Sequence, residues 1–250
     1  MAPLTSFPSV LSTSFGFATL ALLTTRYVRI HGPIPLASKI MKFHNYSYSL
    51  LSLIFFLTLI SGSISSFLRD APAGETWWWR WMLLMRGENE GKGMEWMRYI
   101  YHYSKFYEYQ DALYVLANGG EVHLHFGFHH LTTPYLTYSR VLQNSTGWEL
   151  FAALNTFHHA LMYAYFGGMS AFRPILPYTG FLQLVLGVAG EVYIIDHKIS
   201  SGEPIWSNLV AAGLLTAYFG LFVRELWGGK DGGKGKEKGR EERGGKERVD

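Results

Sequence analysis

The 250-residue chain contains no cysteine. Disulfides, thiolate metal sites and thiol nucleophiles are thereby excluded. No lysine or arginine precedes Arg26. The N-terminus thus lacks the charged start of a secretory signal peptide, and its first apolar run is expected to stay in place. No internal repeat is visible. Overall hydrophobicity is modest, with a mean hydropathy of only +0.06. Two segments hold it down, the polar stretch 69–98 and a glycine- and charge-rich tail at 228–250. Eight of the 22 lysines and arginines lie in that tail after Gly229, mixed with six acids. Such a run reads as solvated and disordered rather than as a nucleic-acid surface.

What remains is strongly apolar. Hydrophobic residues make up 48% of the chain and aromatics 16%. A bilayer-spanning helix needs about 20 mostly apolar residues, and seven segments qualify as candidates: 8–27, 47–67, 101–116, 122–139, 148–168, 176–195 and 205–226. The third and fourth are expected to fail a hydropathy threshold, and polar residues at membrane depth belong inside a helix bundle. Backbone groups in lipid must pair within their own segment, so the fold class is an all-α integral membrane protein. The expected organisation is a membrane domain over 1–227 followed by a disordered tail at 228–250. Lysine and arginine bias puts the loop carrying Arg26, Arg29, Lys39 and Lys42 in the cytosol. The N-terminus is then lumenal and the tail cytosolic, with 14 basic residues on the cytosolic side, seven opposite and Lys105 in the membrane. Trp77, Trp78, Trp79 and Trp81 read as an interfacial aromatic anchor.

Four polar clusters interrupt the spans. Lys105, Glu108 and Asp111 recur every three residues, roughly on one helix face. They serve either as an ion pair that makes a polar helix tolerable or as a site for a polar substrate group. His123, His125, His129 and His130 fall within eight residues, too dense for ordinary core histidines. His125 and His129 stack four apart, and His130 is turned about 100° from His129. Asn155 and His159 are also four apart, and Met162, Tyr163 and Phe166 continue the His159 face, while His158 points elsewhere. Thr179 and Gln183 open the sixth span, where Gln183 needs a hydrogen-bond partner. Glu191 and Asp196 close that span and are expected at the membrane interface.

Clustered imidazoles either bind metal or act as acid, base or nucleophile. A histidine-box di-iron hydroxylase or desaturase needs about eight histidines. The chain has ten, but His31 and His44 fall at the first cytosolic loop and His197 near the far face, which leaves only two sequence clusters. The order of motifs points elsewhere. Lys105–Asp111, then the box ending in His129-His130, then His159, Met162 and Tyr163 preceded by Asn155 resembles the fatty acid elongase family, the condensing enzymes of very-long-chain fatty acid elongation. Lys42 to Ser52, with His44 and Asn45, is also similar to that family's second span. The resemblance covers roughly residues 27–227. Four departures mark a divergent member. Ala112 stands for the family's Thr, three residues rather than two separate His125 from His129, Phe166 replaces a Tyr, and Leu186 stands where a second Gln is expected.

The resemblance implies six helices in a barrel-like bundle around a closed acyl tunnel whose floor sets chain length. It implies a 3-oxoacyl-CoA synthase that condenses a long-chain acyl-CoA with malonyl-CoA, loses carbon dioxide and extends the chain by two carbons. Without a cysteine to carry the acyl group, a histidine takes it or the two substrates react directly. By resemblance His129 is the nucleophile and His159 its partner, while His130 and His125 orient or polarise. Lys105, Glu108, Asp111, Asn155, Met162, Tyr163, Tyr165 and Gln183 are the implied substrate-binding set. No metal or cofactor is implied beyond the two substrates. The implied partners are membrane lipid and the reductase and dehydratase of the elongation cycle, and homo-oligomers are compatible with it. The implied location is the endoplasmic reticulum, where Lys246 and Arg248 resemble a basic retrieval signal. A non-catalytic lipid-binding relative is the non-enzyme alternative.

Overall fold

The computed structural model describes residues 4–70, 95–143 and 147–244, with side chains described for 4–65, 96–143 and 147–226. The tryptophan anchor at 77–81 and the signal-like Lys246 and Arg248 lie outside the described residues. Among the described residues the regular structure is entirely helical.

Helix α1 (Phe7–His31) starts on a reciprocal cap between Ser6 and Ser9, carries a proline in its first turn and stops at Gly32, whose φ is 82°. These are the usual polar and glycine punctuation of a helix. Helix α2 (Ala37–Asp70) follows. Helices α3 (Glu95–Tyr107) and α4 (Tyr109–Ala117) are one rod with a tightened turn at Glu108. Glu108 keeps helical angles, and its amide still bonds the Ser104 carbonyl at 2.9 Å, while Asp111 N reaches the Glu108 carbonyl at 3.1 Å. Helix α5 (Leu124–Arg140) contains Pro134, which cannot donate to the His130 carbonyl. The Thr133 hydroxyl donates to that carbonyl instead, at 3.4 Å. Helix α6 is Trp148–Gly167, a single 3₁₀ turn spans Ser170–Phe172, and α7 (Leu176–Ser201) and α8 (Trp206–Gly244) complete the chain. The domain boundary expected at 227 falls within α8.

Counting α3–α4 once, seven helical rods match the seven expected spans. Four are long and apolar enough to cross a bilayer: Phe7–His31, Ala37–Ser65, Leu176–Ser201 and Trp206–Leu226. Helices α3, α4 and α5, with 13, 9 and 17 residues, are too short to count among them. Helix α6 falls short as well, because Glu149, Asn155, His158 and His159 interrupt it.

Packing closes a ring. Helix α2 contacts α6, α6 contacts α7, α7 contacts α8, α8 contacts α5, α5 contacts α3–α4, and α4 returns to α2. Helix α1 stands outside this six-membered ring against α4 and α5. The tightest seam is α2 against α6. A Cβ on Gly167 would strike the Tyr46 ring at 2.9 Å, so only glycine permits that approach. The polarity is inverted relative to a soluble bundle. Phe15, Leu22, Phe43 and Tyr178 face outward and are exposed, whereas His102, Lys105, Glu108, Asp111, His130, Arg140, Asn155, His159, Glu191 and Asn208 are buried within. Lipid tolerates the first set, and only internal pairing tolerates the second.

Candidate active site

The ring interior holds one continuous polar network, with Glu108 at its centre. The tightened turn between α3 and α4 carries its carboxylate inward, fully buried. Oε1 accepts from Lys105 Nζ at 2.6 Å and from the Tyr48 hydroxyl at 2.7 Å. His159 Nδ1 lies 3.4 Å from the same oxygen. Lys105 and Glu108 are thus the i,i+3 pair that the sequence spacing predicts.

Asn155 sets the protonation of its neighbours. Its Oδ1 accepts from Lys105 Nζ at 2.8 Å and from the Tyr101 hydroxyl at 2.9 Å. Lysine ammonium only donates, so the amide orientation is fixed by these partners. Nδ2 must then face His159 Nε2 at 3.4 Å and Gln183 Oε1 at 3.5 Å. His159 Nε2 is therefore the unprotonated nitrogen, and Nδ1 carries the hydrogen directed at Glu108. The result is a histidine whose tautomer is set by a carboxylate on one side and whose basic nitrogen is available on the other.

Asp111 organises a second branch. Its Oδ1 lies 2.7 Å from His44 Nε2, and the Tyr163 hydroxyl donates to its Oδ2. His130 Nδ1 sits 4.0 Å from Oδ2, too far for a hydrogen bond. His130 Nδ1 and Glu108 Oε2 are both buried without a hydrogen-bond partner. Buried polar atoms without a partner are uncommon, and Asn208 Oδ1 is another, outside this network.

His129 differs from its neighbours. Among the described residues no hydrogen bond holds its ring. It packs edge-on against Tyr218, with centroids 4.8 Å apart. A ring nitrogen of His129, a ring nitrogen of His159 and a Glu108 oxygen lie within 4.8 Å of one another. His129 also lines a small cleft of about 20 Å³ together with Lys105, Asn155, Gln183, Leu184 and Leu215. An imidazole held by ring contacts alone among the described residues thus stands where the charged network meets the cleft.

That trio is also the only group of three metal-capable residues among the described ones. Its chemistry suits a dication poorly. The carboxylate is already neutralised by the Lys105 ammonium, which a bound dication would face at close range. Three ligands are also far fewer than a di-iron centre requires.

Other expected residues fall at the margin. His125 turns outward, with Nδ1 2.9 Å from Glu225 Oε2 on α8, and its ring centroid is 6.2 Å from that of His129. Tyr165 has a ring contact with Phe166, which is itself exposed. Met162 is half-buried. His158 bonds Thr179 at 2.8 Å and ties α6 to α7. Glu191 corrects the expectation that it sits at the interface. It is buried, takes Arg140 Nε at 2.8 Å on Oε1 and Asn208 Nδ2 at 2.8 Å on Oε2. The desolvated arginine needs a carboxylate, which the sequence separates from it by 51 residues.

Sequence reasoning placed His44 in a loop and gave no role to Tyr48 or Tyr101. The structure puts His44 and Tyr48 one turn apart on α2, facing Asp111 and Glu108. The available signal was their i,i+4 spacing at the start of a span. Tyr101 lies one turn before Lys105, and its hydroxyl shares the Asn155 acceptor.

A family model described as ELO, the GNS1/SUR4 family, matches residues 2–227, and no curated protein matches the chain significantly. That match takes in every helix of the ring and the whole buried network. The chain therefore belongs to the ELO (GNS1/SUR4) family of multi-pass membrane fatty acid elongases, acyltransferases that act as very-long-chain 3-oxoacyl-CoA synthases on acyl-CoA and malonyl-CoA.

Proposed function

We propose that this chain performs the elongase condensation in two half-reactions, with His129 as the acyl carrier. The carrying observation is the His129 ring itself, without a hydrogen bond among the described residues, at the junction of the relay and the apolar cleft.

In the first half-reaction a nitrogen of His129 attacks the acyl thioester. The carbon–sulfur bond breaks, and the thiolate of coenzyme A takes the proton lost from the imidazole. In the second, malonyl-CoA loses carbon dioxide, and the electron pair left on its α-carbon attacks the acyl-imidazole carbonyl. A carbon–carbon bond forms, the nitrogen–carbon bond breaks, and the His129 nitrogen takes up a proton drawn from solvent. His159 supports both steps, because its basic Nε2 and its Glu108-directed Nδ1 let it accept and return a proton without reorienting. Lys105 and Asn155 hold that geometry. His130, Asp111, His44 and Tyr163 form the adjoining wall. The unpaired Glu108 Oε2 and His130 Nδ1 are positions that substrate or water would satisfy.

Placement of the site agrees with cytosolic substrates. Lys105 to Asp111 lie midway to late in the α3–α4 rod, His129 and His130 lie early in α5, His159 and Tyr163 late in α6, and Gln183 early in α7. The positions on α5, α6 and α7 fall in the same half of the ring. The lysine and arginine bias makes that end cytosolic, with the N-terminus lumenal and residues 228–250 in the cytosol. Residence in the endoplasmic reticulum, association with the reductase and dehydratase of the cycle, and any homo-oligomer follow from the same reading.

The test is acyl trapping. Purified protein given long-chain acyl-CoA without malonyl-CoA should gain one acyl mass on the peptide containing His129 and release free coenzyme A. Adding malonyl-CoA should discharge the adduct as a 3-oxoacyl-CoA two carbons longer. Release of product with no adduct at any stage would replace the acyl-imidazole by direct reaction in a ternary complex.

A further inference from the structure

Beyond the His129 cleft lie two more cavities, and one side chain borders all three. The second, of about 20 Å³, is lined by Thr137, Arg140, Trp148 and Glu191, and the third, of about 30 Å³, by Leu154, Leu186, Gly190 and Ile194 among others. Phe151 borders every one of them. It stands on the Asn155–His159 face of α6, one turn before Asn155. Its ring edge rests over Gly187 of α7. A Cβ built there would lie 3.2 Å from the ring and 3.4 Å from Leu215. Gly187 thus leaves a seat into which the ring settles. Past the ring, the Arg140–Glu191 pair and Asn208 close the interior. No other residue is shared by the three cavities.

We propose that Phe151 is the adjustable floor of the acyl cleft, so that the Phe151–Gly187 contact sets the longest chain this enzyme accepts. This inference rests on the elongase reading of the site and assigns its length determinant. The dimensions follow from α5, whose residues line both sides of the partition. Thr137 lies eight residues beyond His129, a rise of about 12 Å, and Arg140 lies eleven beyond, about 16 Å. Removing the ring therefore adds about 4–5 Å of depth before the ion pair closes the path. At single-bond geometry that is roughly two to four methylene groups. A side chain on Gly187 would do the reverse. It would push the ring back toward His129 and shorten the space.

The experiment measures product length for the full chain in detergent, with saturated acyl-CoA substrates of increasing length and labelled malonyl-CoA. Phe151→Ala should raise the longest product by about two to four carbons. Gly187→Val should lower it. Phe151→Leu should fall between wild type and Phe151→Ala, and it serves as the milder variant if alanine prevents folding. An unchanged longest product in folded, active Phe151 variants overturns the inference and leaves the elongase reading intact. A wild type that releases no 3-oxoacyl-CoA from any substrate overturns both.

Discussion

Two buried polar clusters stand within one helical ring, and they differ in the groups they bring together. Toward one end, Arg140, Glu191 and Asn208 tie α5, α7 and α8 together. Glu191 is fully engaged, one oxygen to each partner, and the network is compact. Toward the other, Lys105, Glu108, Asn155 and His159 form a chain in which charges are paired but two buried atoms remain open and the His129 ring is unheld. Both clusters cost desolvation. The first recovers much of it through the two Glu191 contacts, although Asn208 Oδ1 stays buried without a partner. The second also leaves part of the cost unrecovered, and its open atoms belong to a carboxylate and an imidazole. Neither buried charge nor an open polar atom identifies a site by itself; the near cluster adds two imidazoles and a carboxylate within 4.8 Å of one another.

The largest expected difference between the clusters lies in chemistry. His129→Ala should lower condensation by at least about 10⁴-fold, since on the proposed mechanism it carries the acyl chain. His159→Ala should lower turnover by about 10²–10⁴-fold, the usual range for a positioned acid–base group. Both proteins should elute as the folded wild type does in detergent. Normal turnover in both would move the site away from these histidines.

The far cluster should respond in the opposite way. Glu191→Ala strands a buried guanidinium and should destabilise the protein by about 3–5 kcal/mol. The paired replacement Arg140→Met with Glu191→Leu should restore much of that loss, because a buried ion pair and an apolar pair of similar volume are often comparable. Thermal unfolding in detergent measures both. Product formation by the folded fraction of the double variant should persist at the site near His129. A double variant as unstable as Glu191→Ala would make the junction more than a pairwise contact.

The same contrast explains what the sequence revealed. The near cluster was legible because members recur at helical spacing, Lys105 with Glu108 and Asn155 with His159, and because His129 and His130 fall in a run too dense in histidine for an ordinary core. The spans were legible because lipid-facing residues must be apolar. What escaped was contact between distant segments. His44 looked like a loop residue because α2 begins ten residues before the apolar run, and only folding brings it to Asp111. Glu191 looked interfacial because its partner Arg140 lies on another helix. The place of Phe151 could not be read at all, since its role depends on the absence of a side chain at Gly187. Periodicity reports the face a residue occupies, and nothing in it reports which face of another helix comes to meet it.

Lys105→Met tests the middle of the scale. It removes the donor that holds both Glu108 and Asn155. The Asn155 amide is then free to flip, and the His159 tautomer loses its constraint. Turnover should fall by about 10–10²-fold, with part of the effect in stability, because the buried carboxylate keeps only the Tyr48 and His159 contacts. Its defect should therefore lie between those of the two histidine variants and wild type.

The smallest effect is expected at His125, and it separates resemblance from geometry. The family motif counts this histidine with His129 and His130, but one extra residue in the box rotates it by about 100° on the helix. In the structure its Nδ1 bonds Glu225, a half-exposed carboxylate on α8, and its ring lies beside Phe222 at the rim. A partly exposed pair of this kind is worth about 1 kcal/mol or less. His125→Ala should therefore leave turnover within about threefold of wild type and unfolding little changed, and Glu225→Ala should match it. A loss approaching that of His129→Ala, without a matching loss in Glu225→Ala, would mean that His125 swings inward to act on substrate, and the altered spacing would then be a change of path rather than of role.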